Sequence, residues 1–475
     1  MAVGTQAGGS MIYTFRGKWI AGFILVCVCV LLWVRHTALQ KSPADVVDFQ
    51  DPKTTPSAFY AKIPGFTNQL VSFDRISSTC YQNKRPESIE DLSKFVALLH
   101  QNRQHKLCGE QYKLFKVIYA IRTKQTTVVL SETFLPKVQK WMNGNQELVE
   151  ATKKQTIIFV DNKWSLESVV FNPVRAKRPG GQGQGSVAEY VNNLIDKAKE
   201  GCDFCSYKKY TAADDFGMLE SERTVAISNT FKIEKYHGMI VFKQHDPVHF
   251  DQDQFIDAMD LAMRWFKTAA GRATDHKYRH MYWDCLPKAS ASQVHPHIHL
   301  ALGDHAYYAK WNRLHKAALK FSESVQNWNY WNAMLQVHNA LGLSAHFNSA
   351  SIISYITPQK DLEVVILAKK PSQDFFRLFY FAVRTFMEDM GQFAISAGCV
   401  FPKLDASTDN GAELPAICRL LSRGAADLPR SDVSSFDLFG TANVNKDPFV
   451  VIKKVKTALE RLKTSKFTYQ PKDME

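Results

Sequence analysis

His295-Pro296-His297-Ile298-His299 places imidazoles at every second position. Neighbours on one helix face recur at three or four residues, so this spacing shares a face only on an extended strand. Ile298 and Leu300 then turn to the opposite face, as a half-buried strand requires. Pro296 lacks a backbone donor, which puts the strand at a sheet edge or has it begin there. Imidazole titrates near neutral pH, binds metals and attacks phosphorus. Alone, the triplet suits a nucleophile, a structural metal site or a merely polar strand.

Upstream, Cys202-Asp-Phe-Cys205 has the spacing of half a tetrahedral zinc site. A redox pair is the alternative, but nothing around it reads as thioredoxin-like. Two further ligands follow in order. His237-Gly-Met-Ile-Val-Phe-Lys-Gln-His245 reads as a strand ending in His245 before Asp246-Pro247, and His295 opens the histidine row. Cys202, Cys205, His245 and His295 therefore make a Cys2His2 set drawn from separate elements. His237, His249 and His280 are rival ligands and read as ordinary surface or core histidines. Earlier still, Asn172-Pro-Val-Arg-Ala-Lys-Arg-Pro-Gly-Gly-Gln-Gly-Gln184 sets Arg175, Lys177 and Arg178 before a glycine-rich turn. Guanidinium forks and open backbone N–H groups suit phosphate, although a solvated basic linker has the same composition.

Taken in order, these motifs resemble galactose-1-phosphate uridylyltransferase, a family of the histidine-triad superfamily of nucleotidyl hydrolases and transferases. The resemblance runs over roughly residues 155–305. It implies an α+β fold: a histidine-triad-like antiparallel sheet with flanking helices, in two such halves. It also implies a structural Zn(2+) on Cys202, Cys205, His245 and His295, and His297 as the nucleophile that becomes nucleotidylated. Ser292 and His299 join the catalytic set, while Arg175, Arg178 and Gln293 are expected to contact the substrate. The departures are His299, where the transferases carry glutamine, and Trp283-Asp284-Cys285 in place of their aromatic-acid-Asn. A third histidine resembles the hydrolase branch, so galactose specificity is not implied.

The chemistry is that of a neutral imidazole attacking the α-phosphorus of a nucleotide, splitting one hard displacement into two easier ones. A four-ligand zinc has no open position and serves structure, pinning His295 beside His297. The substrate expected is a nucleotide-sugar or dinucleoside polyphosphate. The alternative is a catalytically inactive, zinc-containing module that binds a nucleotide or sugar.

Around this site the chain divides into a cytoplasmic tail (1–18), a transmembrane signal anchor (19–38), a stalk (39–67), a helical region (68–154), the catalytic half (155–305) and a second, silent half with a C-terminal helix (306–475). Trp19 to Val34 carries no charge and is extendable to the ~20 residues of a membrane span. Basic residues before it favour a single-pass, type II arrangement in the ER/Golgi system. With 45% apolar and 22% charged residues, the 475-residue chain has a globular composition, enough for two domains or one large one. The charge of 59 − 46 = +13 suits anionic ligands, but Lys and Arg are scattered, which argues against nucleic acid. The composition allows a homodimer. Beyond the zinc pair and two membrane-run cysteines, Cys80, Cys108, Cys285, Cys399 and Cys418 form no readable disulfide pattern. His346 in the last third reads as a core or surface histidine.

Overall fold

Alternating burial along Tyr278-Arg-His-Met-Tyr-Trp-Asp-Cys285 sends Met281 and Trp283 one way and Tyr282 and Asp284 the other. This period of two makes strands, and such strands build the centre of the molecule. The computed structural model describes residues 63–177, 186–325, 328–406 and 411–464. The expected tail, anchor and most of the stalk lie outside the described residues, as does Arg178. No helix among the described residues is long and apolar enough to cross a membrane.

The strands are β1 (Tyr119–Thr127), β2 (Lys154–Asn162), β3 (Ser168–Phe171), β4 (Leu219–Glu220), β5 (Thr224–Ser228), β6 (Tyr236–Phe242), β7 (Tyr278–Cys285), β8 (His297–Gly303), β9 (Ser344–Phe347), β10 (Ala350–Ser354), β11 (Val364–Ala368), β12 (Ile395–Val400), β13 (Ala416–Ser422) and β14 (Ala442–Val444). Ten of them form one sheet in the order β4-β5-β6-β8-β7-β12-β13-β11-β10-β9, and β1-β2-β3-β14 form a smaller one. The main helices are α1 (Phe73–Cys80), α2 (Leu92–Gln101), α3 (Lys106–Ile118), α4 (Leu135–Trp141), α5 (Gln146–Lys153), α6 (Val187–Lys199), α7 (Gln252–Arg272), α8 (Ala309–Ser324), α9 (Tyr330–Ala340), α10 (Gln373–Arg384) and α11 (Pro448–Thr464).

The large sheet repeats one connectivity. β5-β6-α7-β7-β8 and β10-β11-α10-β12-β13 each insert their last strand between the second and third. The two third strands, β7 and β12, pair antiparallel and join the repeats. One face of the sheet is packed by α7 and α10, where Trp283 sits among Phe255 and Phe379 at ring separations of 6.0 and 6.3 Å. Gly238 is required by this packing, because a Cβ there would lie 2.6 Å from the Trp265 ring. The opposite face carries His297 and His299.

Several sequence expectations change. β8 is an interior strand between β6 and β7, so Pro296 marks its beginning and not a sheet edge. The region expected to be helical contributes β1, whose Arg-Thr-Lys-Gln-Thr-Thr run holds together by pairing with β2 and not by burial. β12 and β13, in the second half, fall where no strand was expected. Two disulfides form among the described residues: Cys80–Cys108 ties α1 to α3, and Cys399–Cys418 links directly opposite residues of β12 and β13.

On the face that carries the histidines, β13 presents Arg419, which donates to Glu167 and to Glu363. Burial pushes the Glu167 carboxyl up, but Arg419, Tyr355 and Ser165 together outweigh it and hold it below its usual value. For the fully buried Glu363, burial wins and the carboxyl stays raised. Arg419→Leu would strand both acids and is expected to cost about 3–5 kcal/mol, read as a lower urea midpoint at unchanged slope.

Candidate active site and metal centre

α6 ends at Lys199, and Gly201 at φ +72° turns the chain into Cys202. A tight turn in which the Cys205 N–H donates to the Cys202 carbonyl then brings both thiols to one point. His245 lies three residues beyond β6, in a loop locked by Asp246, whose carboxylate accepts from the Val248 and His249 N–H groups at 2.9 Å each. His295 stands two residues before β8. The four ligand atoms all lie within 4.8 Å of one another.

Both imidazoles turn Nδ1 inward, because Nε2 is committed elsewhere. His295 Nε2–H donates to the Phe242 carbonyl at 2.7 Å, and His245 Nε2–H donates to the Ile195 carbonyl at 3.1 Å. The inward atoms stand 3.3 Å apart for the two Nδ1, and 3.3, 3.4 and 3.7 Å for three sulfur–nitrogen pairs. With ordinary zinc bond lengths, a regular tetrahedron has edges of about 3.3 Å (N–N) and 3.6 Å (S–N). The residues therefore fit a zinc ion, with the backbone carbonyls fixing ring orientation from behind. Partial burial and the adjacent Cys202 push the Cys205 thiol up to about 11, a penalty that a dication would relieve.

The next histidine of the row is held in one tautomer. His297 Nδ1–H donates to the His295 carbonyl at 2.8 Å, which leaves Nε2 as a free lone pair. His297 is 4% exposed, and burial, ahead of any charge nearby, lowers its pKa and keeps the ring neutral. The Phe204 ring, from the cysteine turn, stands 5.2 Å from His297 and closes one side. On the other side, Asp284 of β7 is raised by burial, opposed by Ser396, Arg423 and His297.

His299 belongs to a second chain of contacts. The Ile233 N–H donates to His237 Nδ1 at 3.2 Å, so His237 carries its proton on Nε2. That proton points at His299 Nδ1, 3.2 Å away, and His299 therefore carries its own on Nε2. Asn229 Nδ2 lies within 3.5 Å of both rings. Burial lowers His299 to about 4, so it is a neutral hydrogen-bond donor at pH 7. Sequence reasoning treated His237 as ordinary; the signal was its place on the strand that pairs with the histidine strand. Asp284 and Tyr282 join the site by register, Tyr282 lying directly opposite His299.

Other expected residues are less central. Ser292 is exposed and Gln293 half-buried in the turn leading into β8. That turn follows Leu286 and Ser290 at φ +72° and +78°, strain of the kind found beside functional sites. Arg423 Nη1 donates to the Ala289 carbonyl at 3.2 Å and to Ser396 at 3.1 Å, tying the turn to β12. Arg175 sits with the small sheet, its Nε and Nη2 donating to the Asn443 amide oxygen at 2.8 and 3.3 Å. His346, on β9, bonds Ser351 of β10, and β9 is six strands from β8, roughly 29 Å. His249 pairs with Asp246 at 2.8 Å, outside the metal set.

His280 is fully buried and stacks on Tyr308 with ring centroids 4.1 Å apart, accepting the Tyr308 N–H at Nε2. Burial holds it at about 3, and buried His338 at about 4, against an ordinary value of 6.5. Below pH 6.5 the unfolded chain takes up protons that these folded rings refuse, so stability falls as pH falls. Each contributes up to about 1.4 kcal/mol per pH unit until its folded value is reached. Urea midpoints are expected to drop between pH 7 and 5, and His280→Gln is expected to flatten that slope.

No family model matches the chain, and no curated protein matches it. Solved structures that are similar in fold include an ADP-glucose phosphorylase from Arabidopsis thaliana with bound ADP-glucose, at 12% identity and TM-score 0.48, covering 63% of this chain and 98% of that one. A uridylyltransferase matches at 11% identity and TM-score 0.41, over 51% of this chain and 86% of that one. Yeast Ap4A phosphorylase Apa2 in complex with AMP matches at 12% identity and TM-score 0.29, over 70% and 93%.

Proposed function

We propose that this chain is a nucleotidyl-transferring enzyme of histidine-triad type, acting on a nucleotide-sugar or dinucleoside polyphosphate through a nucleotidylated His297. The observation that carries the reading is the fixed tautomer of His297, whose Nδ1–H is spent on the His295 carbonyl. Its Nε2 attacks the α-phosphorus, and the bond to the bridging oxygen breaks, releasing the distal part as a phosphate. The imidazolium so formed keeps its Nδ1–H on the His295 carbonyl, with the Asp284 carboxyl nearby. His299 Nε2–H supplies a donor to the non-bridging oxygens, aided by its His237 and Asn229 contacts. Water or a phosphate-bearing acceptor then attacks the same phosphorus and returns His297 to neutrality.

Zinc, when bound, contributes a fixed anchor for His295 and therefore for the carbonyl that orients His297. Two disulfides in the body support an oxidising compartment, consistent with a lumenal body behind the expected N-terminal anchor.

Initial rates with nucleotide-sugar and phosphate varied together are expected to give the parallel reciprocal plots of a ping-pong reaction. Intersecting plots would remove the covalent intermediate. His237→Ala takes the donor from His299 Nδ1 and is expected to lower kcat about tenfold, the scale of one lost hydrogen bond, with zinc content unchanged.

A further inference from the structure

The large sheet ends on β9, and among the described residues no strand pairs with its outer edge. The Ser354 N–H donates to the Leu343 carbonyl, so Leu343 faces β10. Alternation along the antiparallel ladder then turns the N–H and C=O groups of Ser344 and His346 outward. Ser344 is nevertheless buried, and its outward backbone groups have no partner among the described residues. Buried backbone donors and acceptors are almost always paired, so this edge calls for a polar partner.

The edge opens into a cavity of about 600 Å³. Ser344, Ala345 and His346 all line it, whereas one face of a strand offers only every second residue. The cavity therefore runs along the edge. Its opposite wall is the segment before α1, pinned where Asn68 Nδ2 donates to the Asn348 carbonyl and Asn339 Nδ2 to the Val71 carbonyl, each at 2.7 Å. Leu70 and Phe73 from this wall and Leu459 of α11 supply apolar contacts. Lys456 of α11 also lines the cavity, half-buried, and donates to the neutral Gly342 carbonyl at 2.7 Å. Among the described residues no carboxylate lies within ion-pair distance of it, although the exposed Glu460 lines the cavity one helical turn away. Burial and then the Arg85 charge lower the Lys456 pKa, with Asp74 opposing. The ammonium lacks an anion.

An extended peptide with a free carboxylate meets all three demands. Its backbone satisfies the edge groups of β9 as an added strand, the mode that open sheet edges support. Alternate side chains pack on Leu70, Phe73 and Leu459, and the carboxylate pairs with Lys456. A small anion would answer Lys456 alone and leave the edge unpaired, and an apolar molecule would answer neither. We infer that the outer edge of β9 is a docking groove for the carboxyl end of an extended polypeptide, held by strand addition at Ser344 and His346 and by its carboxylate on Lys456. The groove lies six strands from β8 and does not depend on the chemistry proposed for His297.

The test is fluorescence polarisation on the full-length chain in detergent with labelled hexapeptides that alternate threonine with valine, leucine or phenylalanine. Each is made with a free and with an amidated C-terminus. Saturable binding of the free acids is expected, weakened about tenfold or more by amidation or by Lys456→Met and restored by Lys456→Arg. Matched melting curves and zinc content report that the variants are folded. Hydrogen exchange at the Ser344 and His346 amides is expected to slow when peptide is bound. No saturable binding by any of the hexapeptides, equal binding of acid and amide, or unchanged exchange at both amides overturns the groove. If binding and slowed exchange appear only once residues 465–475 are removed, the chain's own C-terminal segment is the occupant and the external partner is overturned.

Discussion

Alanine at position 297 is expected to lower turnover of the best nucleotide-sugar by about 10³-fold or more while leaving the fold and zinc content intact. The size follows from the kind of loss. A positioning residue weakens a step, whereas a nucleophile opens the pathway itself. Without Nε2, water must displace the leaving group directly, in a site arranged around imidazole. The space left by the imidazole should be tolerated, because β8 is held by ladders to both β6 and β7. Product release measured by chromatography on wild type and variant, with matched melting curves, checks the prediction. A variant retaining more than a tenth of wild-type turnover would move the chemistry away from His297.

Removing the metal should have the second large effect. Cys202→Ser leaves three ligands, one of them buried His295, and frees the turn that carries Phe204. Metal binding to a site absent from the unfolded chain counts directly as folding free energy. Zinc content is expected to fall from one equivalent to well below half, with a melting temperature lower by on the order of 5–10 °C. Turnover should fall with it, because the His295 carbonyl no longer fixes His297. Chelation of the wild type should reproduce both changes, and added Zn(2+) should reverse them. If the wild type purifies without metal and chelators leave its melting unchanged, the Cys2His2 reading fails.

Residues whose chemistry depends on local spacing were legible in the sequence. The alternate histidines, the Cys-x-x-Cys and the strand-end His245 needed only the periods of strand and turn, and the geometry assembles all four proposed ligands. Residues whose role depends on register were not legible. Asp284, Tyr282 and His237 reach the site because β6 and β7 flank β8, which no single strand announces. β12 and β13 were missed for a related reason. In Ile395-Ser-Ala-Gly-Cys-Val400 and Ala416-Ile-Cys-Arg-Leu-Leu-Ser422 small residues and a charge blur the alternation that the assembled sheet shows as burial on one face only. Arg419 looks like a surface charge until Glu167 and Glu363 are placed beside it. Arg175 has the basic, glycine-rich context that suits phosphate, and its guanidinium engages Asn443.

The most direct measurement is intact-protein mass spectrometry of the full-length chain after brief mixing with UDP-, GDP- and ADP-sugars and dinucleoside polyphosphates. A mass increase of one nucleoside monophosphate, present in wild type, absent in His297→Ala and mapped to His297 by fragmentation, is the predicted result, and its mass names the base. Turnover with no adduct on any millisecond-quenched sample, or an adduct that persists in His297→Ala, would contradict the covalent role of His297. Zinc present with neither adduct nor turnover would leave a binding module.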